Sequence, residues 1–241
     1  MGCTILKITT VASGSTGNTY VLSVGSDYLV LDAGASFKKL SKTINFDTQN
    51  IKGVLITHEH ADHSKYINDY LKNGLDVYIN EKTKEALSLE NHYRLHVFNN
   101  YEPFIVSSFK ILAYTSVHDA VDPVGFLIQN DAYRILYATD TQYIKYKFDN
   151  ITHALIECNY SNELLKQSVI EERVLPIVAN RIIKTHMSLE TSKKYLNALD
   201  LSKLEEIVLI HLSKDNAKGN LFKDEFMKEF GIKVTIAKNE S

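Results

Sequence analysis

Apolar and polar positions along the chain divide it into short strands and longer helical stretches. Thr4–Val11, Asn18–Val24 and Tyr28–Leu31 read as strands, and the turn Gly25-Ser26-Asp27 joins the last two as a hairpin. Ala35–Ile44 has helical character. Lys52–Thr57, containing GVLIT, reads as a short buried strand. Asp62 or Ser64 stands where a cap would start a helix running to Leu71. Val77–Asn80 (strand), Lys82–Leu89 (helix) and a set of strands from Leu95 to Tyr114 follow. Val124–Gln129 and Tyr133–Ala138 form a hairpin across Asn130-Asp131, and Ala154–Glu157 is another strand. Glu163–Ile183 is mostly helical and is broken or kinked at Pro176, which has no N–H to give. Ser188 caps a helix to Ala198, Ile207–His211 is a strand, Asn216 starts a helix to Phe230, and Ile232–Ala237 is the last strand. Strands, a helix, then strands and helices again predict an α/β chain of two sheets with helices outside them. No linker, repeat or low-complexity tract divides the chain, so a single domain over residues 1–241 is expected.

Composition narrows the class. With 241 residues, 44% of them hydrophobic and 23% charged, the chain is long enough for a substantial core and is ordinary for a soluble protein. No apolar run approaches the ~18 residues of a membrane span. MGCTILKITT lacks the charged-then-apolar order of a signal peptide, and Leu6 stands where a myristoylation pattern after Gly2 wants Ser or Thr. Cys3 and Cys158 have no pairing motif, so a cytoplasmic protein without a structural disulfide is expected, with Cys158 a small core residue. The net charge of -2 gives no overall basic surface for gripping long nucleic acid. The lysines are scattered in pairs such as Lys38 and Lys39 or Lys193 and Lys194; a local basic rim stays open.

The chemistry concentrates in THEHADH, residues 57–63. The zinc-protease pattern H-E-x-x-H fails, because position 62 is Asp62. The spacing present is H-x-H-x-D-H. On an extended segment residues i and i+2 face the same way, so His58 and His60 can share one metal. The chain then turns into a helix, and Asp62 and His63 point elsewhere, which suits a second metal. His118, Asp140 and His211 each follow an apolar strand. Any one of them alone is more often structural; together, beside a four-ligand motif, they form a candidate donor set. Glu157 is polar at an apolar strand end and is expected to hydrogen-bond a ligand histidine from behind. His92, His96 and His153 fit no motif and read as surface or locally bonded.

H-x-H-x-D-H, then a separate His, an Asp and a final His, resembles the metallo-β-lactamase superfamily over essentially the whole chain. The resemblance implies a four-layer αββα sandwich with a dinuclear metal site at its edge. It implies that His58, His60 and His118 hold one metal, that Asp62, His63 and His211 hold the other, and that Asp140 bridges them. The metals implied are two divalent ions, Zn2+ first and Mn2+ second. Asp32, in LVLDAG, matches the family's early strand-end Asp, which buttresses the metal loop; a turn residue before Gly34 is the bland alternative. His186, in IIKTHMSLE, resembles the His-Ser/Thr motif of the phosphodiesterase branch, where the extra His contacts phosphate or protonates the leaving oxygen. An ordinary helix-start His is its alternative. ASGSTGNTY and HLSKDN resemble the WalJ/YycJ group, bacterial proteins associated with DNA exonuclease activity. The same architecture occurs in phage anti-Pycsar enzymes, which hydrolyse cyclic mononucleotides. ASGSTGN lacks the G-K-[ST] ending of a Walker loop. Ser13, Ser15 and Asn18 either face a phosphate or belong to a tight strand connection near the site.

The expected function is a dinuclear-metal phosphodiesterase with Asp62, Asp140 and His186 in catalysis. Conversion of 3′,5′-cyclic mononucleotides to linear monophosphates, which would degrade an immune signal, stands slightly ahead. The acidic balance and compact length favour it. A WalJ/YycJ-like exonuclease acting on DNA ends is the alternative. A glyoxalase II-like thioesterase leaves His186 unexplained, and a non-catalytic metal-binding protein leaves the intact ligand set unexplained. The resemblance further implies a homodimer with no membrane contact, in the cytoplasm of a bacterial cell or encoded by a phage. It also makes the segment around Asn91–Tyr101 a candidate lid.

Overall fold

Three antiparallel strands, β1 (Leu6–Ala12), β2 (Thr19–Val24) and β3 (Asp27–Leu31), open the chain. The computed structural model describes residues 5–237, so Thr4 of the expected first strand, with Gly2 and Cys3, lies outside the described residues. Val24 pairs with Asp27, so the hairpin turn is the two residues Gly25-Ser26, one shorter than expected. Gly25 takes φ 61°, the left-handed conformation that two-residue hairpin turns require.

Contacts group the chain into two compact units: residues 5–115 with 120–124, and Ser116–Asp119 with Gly125–Ala237. In the first unit, β4 (Ile51–Leu55), β5 (Val77–Asn80) and β6 (Leu95–Phe98) extend the meander into a six-stranded sheet in sequence order, with β3 to β6 parallel. Parallel neighbours need crossovers, and helices supply them. α1 (Phe37–Thr43) is capped by Ser36, whose Oγ accepts from Lys39 N. α4 (Glu81–Ala86) is capped by Asn80 and stops three residues short of Leu89. The helix expected from Asp62 or Ser64 to Leu71 is two pieces, α2 (Ala61–Ser64) and α3 (Ile67–Lys72). Neither Asp62 nor Ser64 caps it. Ser64 Oγ instead donates to the carbonyls of Glu59 and His60, and the break falls where Tyr66 N is drawn to the Ala33 carbonyl.

Val11, Val21, Val30, Val54, Ile56, Val77 and Ile79 pack with Leu40, Ile67, Tyr70 and Leu71 as one buried cluster. Each such side chain contributes roughly 1.5–3 kcal/mol by leaving water. β4 ends at Leu55, two residues before Thr57, so the metal-motif loop departs from the sheet earlier than expected. β7 (Phe104–Val106) and β8 (Phe109–Thr115) form an antiparallel hairpin. The centre of the candidate lid is β6, hydrogen-bonded along β5 rather than free to move as a loop.

The second unit carries β9 (Val124–Gln129), β10 (Arg134–Ala138), β11 (His153–Glu157), β12 (Glu206–Ile210) and β13 (Lys233–Ile236). β9 and β10 are antiparallel; β10 to β13 are parallel. Ala138 pairs with Ile156 and Glu157 with Ile210, so the carboxyl ends of three adjacent strands are level. Ligands collect at such a rim in open α/β sheets. Helices α5 (Asn162–Ile170), α6 (Pro176–Thr185), α7 (Leu189–Asn197) and α8 (Gly219–Phe230) complete this unit. The expected helix over Glu163–Ile183 is interrupted at residues 171–175, and Pro176 begins α6 instead of kinking it, because a first-turn position needs no N–H. α8 starts at Gly219, not Asn216, whose N–H is taken by Ser213 Oγ in a turn. No helix among the described residues is long and apolar enough to cross a membrane.

Candidate metal centre

In the first unit the sequence-predicted residues gather around Asp32. It follows β3 directly, and its N–H is held by the Leu55 carbonyl at 2.8 Å. Its Oδ1 accepts from Thr57 N and Thr57 Oγ1, each at 2.9 Å, and its Oδ2 lies 2.8 Å from His63 Nδ1. The Thr57 hydroxyl gives its single proton to Asp32, so at 3.0 Å it accepts from His58 Nδ1–H. One carboxylate therefore sets the tautomer of two imidazoles, directly for His63 and through Thr57 for His58. In both, the lone pair is left on Nε2. His58 Nε2 lies 3.2 Å from His60 Nδ1, and His63 Nε2 lies 3.4 Å from Asp62 Oδ2.

The ASGSTGN loop closes this cluster. Asn18 is fully buried, with Oδ1 accepting from Gly14 N and Tyr20 OH. Its Nδ2 lies 3.1 Å from Asp62 Oδ2 and 3.0 Å from His63 Nε2. Asn18 thus stands against two predicted ligands. Ser13 Oγ is bonded to Tyr20 OH at 2.9 Å, and Ser15 is exposed. Gly34 lets the backbones meet: a Cβ there would lie 1.8 Å from Asp62 O and 2.4 Å from Asn18 N. Asp32 takes the turn conformation at φ 62°, and its carboxylate also hydrogen-bonds Thr57 and His63 of the THEHADH segment.

In the second unit the level strand ends bring Asp140, Glu157 and His211 to one rim, where His186 joins them. One ligand atom from each of these four lies within 4.8 Å of the others. Glu157 is fully buried and uses both oxygens. Oε1 lies 2.6 Å from His186 Nδ1 and 3.0 Å from His211 Nδ1; Oε2 accepts from Thr141 N and Met187 N. His211 Nδ1 also lies 3.0 Å from Asp140 Oδ1. His118 Nδ1 donates to the Thr185 carbonyl at 2.8 Å, leaving its lone pair on Nε2, 3.5 Å from Asp140 Oδ2. Asp140 at φ 40° and His211 at φ 52° share the left-handed conformation of Asp32, a strain of about 1–3 kcal/mol each that clusters at functional sites.

Charge follows the geometry. Burial alone would push the Glu157 carboxyl up; the adjacent His186 and the hydrogen bonds from His186 and His211 outweigh it and hold the group ionised. Burial would pull His186 down, but the Glu157 carboxylate raises it above an ordinary imidazole. Burial holds His118 below its ordinary value despite Asp140 nearby, favouring the neutral form that a metal takes. His58, His63, His118 and His211 all have Nδ1 committed to an acceptor, which is how proteins orient metal-ligating histidines. With Asp62 and Asp140, the donor chemistry fits divalent cations such as zinc.

Residues 28–212 match the family described as the beta-lactamase superfamily domain. This chain belongs to the metallo-β-lactamase superfamily. The superfamily match contains every residue of the two clusters except those of the ASGSTGNTY segment. The exodeoxyribonuclease WalJ of Streptococcus pneumoniae is 29% identical over 224 residues, covering 87% of this chain and 82% of the relative. The exodeoxyribonuclease YycJ of Bacillus anthracis is 28% identical over 234 residues, covering 88% and 84%. Among solved structures, the metallo-β-lactamase fold protein YhfI of Bacillus subtilis superposes with TM-score 0.75 at 18% identity, covering 98% of each chain. The fold is that of the metallo-β-lactamase superfamily, and the chain is a metal-dependent hydrolase.

Within this superfamily member, sequence reasoning missed Thr57, Thr141 and Thr185. Thr57 stands beside His58 and had a signal in that adjacency. Thr141 and Thr185 act through a backbone N–H and a carbonyl, which leave no residue-type trace. The three unassigned histidines have local roles: His96 Nε2 bonds Asp76 Oδ1 at 2.8 Å, His92 Nδ1 accepts from Arg94 N, and His153 meets Thr152 Oγ1 at 3.1 Å. Cys158 is fully buried.

Proposed function

We propose that this chain is a dinuclear-metal phosphodiesterase acting on nucleotide phosphodiester bonds, with a DNA end as its substrate. The observation that carries this is the His186–Glu157 pair. A lactamase or thioesterase reading gives His186 no task, whereas phosphodiester cleavage needs a proton donor for the leaving oxygen. The names of the WalJ and YycJ relatives favour DNA over a cyclic nucleotide.

Following the family resemblance, we assign His58, His60 and His118 to one ion and Asp62, His63 and His211 to the other, with Asp140 bridging. Zn2+ is the first choice and Mn2+ the second. When bound, two such ions supply Lewis acidity, withdrawing charge from a phosphate and lowering the pKa of a water. The chain's own residues do the rest. Asp32 and Glu157 hold the ligand imidazoles in one tautomer. His186 has Nδ1–H fixed by Glu157, which leaves Nε2 for the proposed proton transfer. The adjacent carboxylate stabilises its protonated form, the state a general acid must start from. Work in the cytoplasm and as a homodimer belongs to the same proposal.

Cyclic mononucleotides are the second reading, carried by the net charge of -2. The test is one preparation loaded with Zn2+ or Mn2+ and given end-labelled DNA and, separately, 3′,5′-cyclic nucleotides. Shortened DNA with cyclic nucleotides intact supports the DNA-end reading; linear monophosphates with intact DNA transfer the conclusion to the second.

A further inference from the structure

Beside His118, and wholly within the second unit, lies a cavity of about 550 Å3. That falls in the range of small-molecule sites. His118 and Thr185 form its inner end, and the rest of its lining lies outside the candidate metal clusters. Its wall is one face of α6, where Ile177, Asn180, Arg181 and Lys184 recur at helical spacing. This face is not a core stripe. The core side of α6 is Ala179, packed with Tyr160 and Leu165, with Ile182 against them. Ile177 is 76% exposed, an apolar side chain left in solvent next to two cations.

The wall is joined to the chemistry. Arg181 Nε donates to Asp119 Oδ2 at 2.7 Å, and Asp119 Oδ1 lies 3.4 Å from His118 Nε2. The last residue of α6, Thr185, holds His118 Nδ1 through its carbonyl, and His186 follows it. Asp119 is thus engaged with Arg181 and His118, while Lys184 and Asn180 are exposed on the same face.

We propose that this cavity receives the nucleotide flanking the scissile phosphodiester of a DNA end, with Lys184, Arg181 and Asn180 on its phosphate and Ile177 against its sugar or base. The inference rests on the DNA-end reading and deepens it. A cyclic mononucleotide has one phosphate, which the metal ions would hold. Arg181 already meets Asp119, and Lys184 on the same wall would then have no phosphate to meet. A strand supplies another phosphate and an apolar base face next to it.

The test compares the full-length metal-loaded chain with its Lys184→Glu, Lys184→Gln and Ile177→Ala variants. Two substrates are used: an end-labelled single-stranded oligodeoxynucleotide and bis(p-nitrophenyl) phosphate, which has no flanking nucleotide. Lys184→Glu is expected to cut kcat/KM on the oligonucleotide by roughly tenfold or more, and by clearly more than on the small diester. The salt dependence of the oligonucleotide KM should flatten by about one ion in the log–log slope. Lys184→Gln should show the same pattern more weakly, and Ile177→Ala should raise the oligonucleotide KM. Equal losses on both substrates, or an unchanged oligonucleotide KM and salt slope, overturn the flanking subsite while the DNA-end reading stands. A wild-type enzyme that hydrolyses the small diester and leaves DNA untouched overturns both.

Discussion

Asp32 Oδ2 lies 2.8 Å from His63 Nδ1, with both side chains fully buried. The other oxygen governs His58 through Thr57, so this residue sets two predicted ligands at once. Asp32→Asn separates conformation from chemistry. Asn tolerates the left-handed backbone at φ 62° and keeps an oxygen for Thr57. Its amide then faces His63 Nδ1, which must accept, and the imidazole proton moves to the nitrogen the metal would take. Metal affinity should fall roughly 10–100-fold with little change in the urea midpoint. Chelator competition against zinc reads the first quantity. A variant that binds zinc as tightly as the native chain removes Asp32 from the site.

Gly34 makes a second case, in which packing and not charge decides. A methyl group there would lie 1.8 Å from Asp62 O and 2.4 Å from Asn18 N, both backbone atoms. Neither can rotate away as a side chain would. Gly34→Ala should therefore push the ASGSTGN loop off the metal motif, destabilising the chain by about 3 kcal/mol or more. Denaturant unfolding with and without zinc measures it. A stability within 1 kcal/mol of wild type would mean that the close approach at this point is not required.

Much of this site was legible before the fold. Residue type and spacing singled out the donors of THEHADH, strand ends singled out Asp32, His118, Asp140, Glu157 and His211, and the segment before the Ser188-capped helix singled out His186 as candidates. The strand limits of β5 and β9 were legible too, because apolar runs bounded by turn residues leave little freedom. Other features were not. The break between α2 and α3 comes from Ala33 drawing the Tyr66 N–H out of a helix, a tertiary contact that periodicity does not register. The sequence leaves Asn18 open between facing a phosphate and belonging to a tight strand connection near the site; it is buried, with Nδ2 on Asp62 and His63. Pro176 reads as a break, but its position as the first residue of α6 depends on where α5 ends.

A pH-dependent contribution to stability lies away from the metals, at Asp27. Its Oδ2 accepts from Ser107 Oγ and Ser108 Oγ, each at 2.7 Å, with Lys52 Nζ 3.9 Å from Oδ1. Burial pushes this carboxyl up, but the bonds from Ser108 and Ser107 and the Lys52 charge outweigh it, and the net shift is downward. A carboxyl lowered on folding stabilises the native state above its unfolded pKa. That contribution is lost as pH falls through the folded value. Asp27→Asn should be less stable than wild type at neutral pH by about 0.5 kcal/mol, a value reduced by solvent screening at this partly exposed site. The gap should close in acid, below the ordinary carboxylate range. Urea melts from pH 7 to 3 follow it; a gap that is constant or widens in acid contradicts the assignment.

His186 and Glu157 give the prediction that bears most directly on mechanism. Glu157 Oε1 touches both His186 and His211, so the two substitutions should fail in different ways. His186→Ala removes the proposed proton donor and leaves the Glu157–His211 contact in place. Turnover of a phosphodiester should drop by about 10²–10⁴-fold, while zinc stoichiometry measured by atomic emission stays the same. Glu157→Gln loosens His211 as well, so it should lower metal affinity in addition to turnover. A substrate with a good leaving group, such as bis(p-nitrophenyl) phosphate, needs less help from an acid and should be hurt less by His186→Ala than DNA is. If His186→Ala instead strips a metal and Glu157→Gln does not, then His186 is a ligand and the acid must be sought elsewhere.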